Sequence, residues 1–127
     1  MTSQTALEAY ARMINTGECE DFLGMLADDF QYTSTSVLVD ITSAAEYGDY
    51  IRQKLIFLRK DTKSYPWAEM SIYRGDHVVV LHQGSMNSPV AVLFLSVEGK
   101  KVVKGFITNI VPHPSEPERS GIFPGVD

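Results

Sequence analysis

The stretch from Tyr10 to Ser34, YARMINTGECEDFLGMLADDFQYTS, constrains the fold more than any other part of the chain. It reads as a helix, a glycine stop, a short second helix, an acidic turn and a strand. Upstream, Thr5-Ala6-Leu7-Glu8 has the spacing of a capping box, in which a hydroxyl and a carboxylate satisfy the first helical amides. Leu7, Tyr10, Ala11 and Ile14 follow at i, i+3, i+4 and i+7, one apolar stripe of a helix. Gly17 ends it, because only glycine takes the left-handed cap conformation at little cost. Glu18, Glu20 and Asp21 suit the positive first turn of a second helix, whose buried side is Phe22, Leu23, Met25 and Leu26. Asp28-Asp29 reads as a turn, and Phe30 to Ser36 as a strand.

A second capping box, Ser43-Ala44-Ala45-Glu46, opens a third helix with the stripe Tyr47, Ile51, Leu55 and Leu58. The period then changes. Trp67–Tyr73, His77–Gly84, Pro89–Val97 and Lys101–Pro112 are four strand candidates separated by turn residues. Helices followed by a strand meander predict an α+β fold, with helices on one face of an antiparallel or mixed sheet. An antiparallel sheet with a wet face alternates apolar and polar residues. Val78-Val79-Val80-Leu81 and Val90 to Leu95 are instead apolar on both faces. Something must cover the second face, and a second copy of the sheet is the economical cover, so a homodimer through the open sheet face is expected.

The chain of 127 residues has the length of one domain, assigned to 1–111, followed by a proline-rich tail over 112–127. Ile122-Phe123 is an apolar pair inside that tail, able to dock on the sheet, on a partner or over a pocket mouth. A net charge of −5 argues against a nucleic-acid reader, which would carry a basic face. The single cysteine, Cys19, excludes an internal disulfide and fits a reducing compartment. The opening residues have neither the basic nor the continuous apolar region of a signal peptide, and no run is long enough to span a membrane. A cytoplasmic protein with no membrane partner is expected.

The order of elements resembles the nuclear-transport-factor-2-like superfamily, the cystatin-like cone shared by ketosteroid isomerases, polyketide cyclases and limonene epoxide hydrolases. The resemblance covers roughly residues 6 to 111, and its specific part is Tyr10 to Asp29, with Lys101-Val102-Val103-Lys104 matching the start of the last strand. It implies three helices packed against a strongly curved sheet. It also implies that Tyr10 occupies the place of the isomerases' oxyanion-hole tyrosine, which acts there with a protonated acid and an Asp base. The base position falls on Ser34 and the acid position near Leu93, so the isomerase chemistry is not expected. Related enzymes carry an Asp after an aromatic on the last strand; here Phe106 is followed by Ile107.

Several residues therefore compete for a site role. Tyr10, Tyr32, Leu93, Ile107 and Asn109 are expected to line a pocket for a small apolar or carbonyl-containing ligand. If a reaction occurs, Tyr10 would polarise a carbonyl, and His82 or Asp40 would move the proton. Asp40 follows the apolar run Val37-Leu38-Val39, and His82 is the histidine inside an apolar strand, on a face the sequence does not fix. The competing reading is a non-enzymatic dimeric interaction domain with a cone filled by its own side chains. His77, His82, His113 and Cys19 share no metal-ligand spacing, and no cofactor motif is present, so neither metal nor cofactor is expected.

Overall fold

The computed structural model describes residues 1–36 and 40–126. Helix α1 spans Ser3–Thr16, α2 Glu20–Leu23 and α3 Ala44–Leu58. The strands are β1 (Leu26–Ser34), β2 (Pro66–Tyr73), β3 (Asp76–Gln83), β4 (Pro89–Glu98), β5 (Lys101–Thr108) and β6 (Glu118–Ile122). They form one curved mixed sheet in the order β1-β5-β4-β3-β2-β6, in which only the β1–β5 pair is parallel. The α+β cone expected from the sequence is the observed architecture.

Local chemistry fixes the helix ends. The cap of α1 is Thr2 rather than Thr5: Thr2 Oγ1 accepts from the Thr5 amide at 3.1 Å. Gly17 closes the helix with φ of 81° and donates its N–H to the Met13 carbonyl, as the stop signal requires. Ser43 caps α3 by accepting from the Glu46 amide at 3.1 Å. Asp28 and Asp29 do not form a turn. They lie inside β1, exposed, where the register against β5 slips between Leu26 and Gln31. Two adjacent carboxylates mimic a turn in the sequence because an exposed irregularity in a strand also favours solvated side chains.

Helices α1 and α3 cover the inner face of the sheet. The core there holds Leu7, Ala11, Ile14, Phe22, Phe30, Tyr47, Ile51, Val79 and Leu93. Gly105 on β5 lies under the aromatic rings, where an added Cβ would sit 3.1 Å from Phe30 Cζ. On the outer face Val78, Val80 and Val92 are fully buried beneath Tyr73 and Phe94.

The segment after residue 111 supplies the edge strand β6, which pairs antiparallel with β2. Where β6 no longer reaches, Asn15 of α1 takes over the open edge of β2. Its Nδ2 donates to the carbonyls of Ala68 and Pro124 at 2.9 and 2.8 Å, and its Oδ1 accepts from the Ala68 amide at 2.7 Å. A primary amide has the donor and acceptor pattern of a peptide unit, so one side chain does the work of a further strand residue. Among the described residues no helix is long and apolar enough to cross a membrane.

Candidate functional site

Between the two long helices and the sheet lies a cavity of about 240 Å³. Its apolar wall comes from α1 and α3 through Ile14, Ile51, Leu55 and Leu58, and from the sheet through Leu81, Ala91 and Ile107. Ile14, Ile51 and Leu55 are almost fully buried, whereas Ser36, Val90 and Asn109 are exposed, so the cavity runs from a dry floor to a wet rim.

Tyr10 and Tyr32 supply the buried polar groups, at 3% and 5% exposure. Burial raises the pKa of both phenols; Tyr50 raises that of Tyr10 further, and Tyr10 and Tyr50 raise that of Tyr32. Both hydroxyls therefore remain protonated and able to donate at any physiological pH. The Tyr10 ring packs edge-on against Phe22, with centroids 5.4 Å apart, and the residue lines the cavity. The third polar group is Lys54 of α3, half-buried, whose Nζ donates to the Tyr50 hydroxyl at 2.9 Å. Tyr50 in turn packs its ring 5.7 Å from that of Tyr32. Among the described residues no carboxylate lines the cavity.

Tyr10, Tyr32, Ile107 and Asn109 all line this cavity. At the rim Asn109 is tied to β1, accepting at Oδ1 from Thr35 Oγ1 at 3.0 Å and donating its amide N–H back at 3.1 Å. Leu93 has the expected inner-face parity but is packed in the core, away from the cavity wall. Asp40 is exposed and does not line the cavity; the apolar run before it lies outside the described residues.

His82 contributes to the cavity wall, yet both of its ring nitrogens are spent elsewhere. The ring sits on the outer-face register opposite Trp67, fully buried. Its Nδ1 accepts from the Ser88 amide at 3.0 Å, which leaves Nε2 as the protonated nitrogen, donating to Glu69 Oε1 at 2.9 Å. Burial holds the imidazole below its ordinary pKa, against the opposing pull of Glu69. An imidazole so engaged has no free lone pair for a proton from a ligand. Cys19 is also buried, and burial raises its thiol pKa, with Arg52 opposing. Among the described residues no group of three or more His, Cys, Asp or Glu is placed to hold a metal ion.

Two residues escaped the sequence reading, Lys54 in the cavity and Glu69 in the network behind His82. Lys54 lies seven residues after Tyr47 and four before Leu58, a helical spacing that places it on the inner stripe. That spacing was the available signal. Glu69 had no such signal, since its partners His82 and Arg119 are 13 and 50 residues away.

With this geometry the chain resembles several solved structures. A designed protein with a curved β-sheet matches at a TM-score of 0.63 and 12% identity, over 85% of this chain and 87% of that one. A nuclear-transport-factor-2-like protein from Anabaena variabilis matches at 0.55 and 11%, over 95% and 88% of the two chains. The fold is nuclear-transport-factor-2-like. A protein named as a candidate ketosteroid isomerase, from Kribbella flavida, matches at 0.58 and 19%, over 84% and 76%. No protein-family model matches the chain, and no curated protein sequence does. Identities at this level establish the fold alone, and a designed protein with this fold illustrates that the architecture carries no function by itself.

Proposed function

We propose that the protein binds a small molecule with an apolar body and a hydrogen-bond-accepting oxygen inside the cone. The observation that carries this reading is an apolar cavity of about 240 Å³ bordered by the buried, protonated phenols of Tyr10 and Tyr32. A ligand oxygen that accepts from such a phenol gains about 0.5–1.5 kcal/mol. A filled cone, the competing reading, is poorly supported by a cavity of about 240 Å³. Binding is also better supported than an isomerase- or cyclase-like proton transfer. The cavity presents donors, while His82 is fully engaged and Asp40 lies elsewhere.

The size narrows the ligand. A cavity of about 240 Å³ equals the liquid volume of roughly eight waters, so the ligand has on the order of ten non-hydrogen atoms. Calorimetric titration with 2-octanone is expected to give saturable binding. Tyr10→Phe should weaken it about two- to tenfold, the worth of one neutral hydrogen bond. Ala91→Phe, which fills the cavity, should abolish it. Unchanged affinity in Tyr10→Phe would remove the tyrosine from the site, and unchanged affinity in Ala91→Phe would move the ligand out of the cone.

The partner is a second copy of the chain, seated on the outer sheet face. Phe94 and Phe106 stack there with ring centroids 6.2 Å apart, and Phe106 remains 38% exposed although it belongs to a sheet. Exposed aromatic rings on an apolar bed are characteristic of the centre of an interface. Light scattering should return a dimer for the wild type and a monomer for Phe106→Glu. A monomeric wild type would exclude this partner.

A further inference from the structure

We infer that the ligand of the cone is an anion, a small amphiphile whose carboxylate is held by Lys54. This rests on the cavity-binding reading above and adds the charge of the ligand to it. Lys54 is the one lysine or arginine, among the described residues, that lines the cavity, and no aspartate or glutamate lines it with Lys54. Nor does any described carboxylate lie within ion-pairing distance of its ammonium, although Arg52 and Arg119 both have such partners. Lys54 is half-buried, and its ammonium, 5.3 Å from the centre of the Tyr50 ring, has no counter-charge among the described residues. An anionic ligand supplies that counter-charge.

The hydrogen-bond inventory points the same way. Lys54 has three N–H donors and uses one of them on the Tyr50 hydroxyl, at 2.9 Å. The remaining donors have no partner among the described residues and are available to a ligand. Tyr50 holds the ammonium beside Tyr32, and Tyr10, Tyr32 and Lys54 all line the same cavity. Three donor side chains thus belong to one cluster, and a carboxylate offers about four acceptor sites to meet them. A neutral ketone can satisfy the tyrosines but leaves the ammonium without its counter-charge. The apolar walls from Ile14, Ile51, Leu55 and Leu58 accommodate a short alkyl or aryl body. A phosphate monoester is disfavoured, because a dianion would face a single cation on a largely apolar wall.

Octanoate and octan-1-ol differ in the head group and share the tail, and both match the cavity in size. Calorimetry on the wild type should show octanoate binding about tenfold or more tightly than octan-1-ol, the worth of one charge-assisted hydrogen bond. Lys54→Met keeps the apolar stem and removes the charge. It should weaken octanoate by the same factor and leave octan-1-ol unchanged, while Lys54→Arg retains the preference for the anion. Raising the salt concentration should weaken octanoate alone. Equal binding of both ligands to the wild type, or octanoate binding that Lys54→Met leaves intact, overturns the anion assignment and leaves the cavity reading standing. Binding of neither compound overturns the cavity reading and this inference together. Thermal midpoints of the variants, compared with the wild type, separate a lost contact from a lost fold.

Discussion

Glu69→Ala is expected to destabilise the protein by about 3–5 kcal/mol, read as a lower midpoint in urea denaturation. The carboxylate is fully buried and every part of it is used. Oε1 accepts from His82 Nε2 at 2.9 Å and from Arg119 Nε at 2.8 Å, and Oε2 accepts from the Gly121 amide at 2.8 Å. Arg119 extends the network by donating from Nη1 to Asn87 Oδ1 and from Nη2 to the Met86 carbonyl at 2.7 Å. One side chain on β2 thereby ties together β3, the turn before β4 and the edge strand β6. Truncation strands the fully buried donor of His82, while the Gly121 amide, on the exposed strand β6, can turn to water. The Arg119 side chain is 39% exposed and can return to water, which places the effect toward the lower end of the range.

The same network sets the acid limit of the fold. Burial alone would raise the Glu69 pKa, but donors from Arg119, His82 and Gly121 outweigh it and hold the carboxyl below its ordinary value. A lowered carboxyl is stabilising above the unfolded pKa of about 4.3, and that stabilisation is lost as pH falls through the native value. His82 acts in the same direction at higher pH. Burial lowers its pKa, so below about 6.5 the unfolded chain takes up a proton before the native one does, and stability falls. Two losses on acidification are expected, and Glu69→Ala should erase the lower one. A variant within about 1 kcal/mol of the wild type, with an unchanged acid profile, would show that the network does not hold β6.

What the sequence revealed divides along the range of the forces involved. The Ser43 cap, the Gly17 stop and the meander from Trp67 onward are local, each readable within a few residues. Tyr10, Tyr32, Ile107 and Asn109, expected at a pocket from the resemblance and from strand alternation, all line the cavity. Leu93 was assigned to a pocket through the resemblance, at the place of the isomerases' acid, and it lies in packed core. Thr2 and Thr5 offer the same hydroxyl three residues apart, so the cap slipped by one choice of donor turn. Strand β6 and the Glu69–Arg119 pair were invisible because their contacts join residues 50 apart, between a strand and a proline-rich segment with no periodicity. Lys54 was overlooked for a different reason. An amphipathic reading scores lysine as solvent-facing, whereas a long aliphatic stem can run along an apolar wall.

Tyr47→Ala should cost about 3–5 kcal/mol, again by urea denaturation, and Tyr47→Phe no more than about 1 kcal/mol. Tyr47, at 1% exposure on α3, is where four other aromatic rings meet. Its ring lies 6.3 Å from Phe22 of α2, 5.1 Å from Phe30 and Tyr32 of β1, and 6.3 Å from Tyr50 on its own helix. The contacts with Phe22 and Phe30 are edge-to-face, at 72° and 68°, the geometry that aromatic quadrupoles favour. A ring of this size removes on the order of 200 Å² from water, worth on the order of 5 kcal/mol at about 25 cal/mol/Å². Partial collapse of the space recovers some of that, hence the expected range. Collapse is limited here because the neighbours are themselves wedged between α1, α3 and the sheet. The hydroxyl is a smaller matter, since the ring alone makes these contacts and its deletion by phenylalanine leaves them in place. A Tyr47→Ala variant that unfolds within about 1 kcal/mol of the wild type would mean that α3 is held by Ile51 and Leu55 instead. In that case the wall behind Tyr32 would tolerate loss of its main support, and the donor cluster would owe its geometry to the sheet.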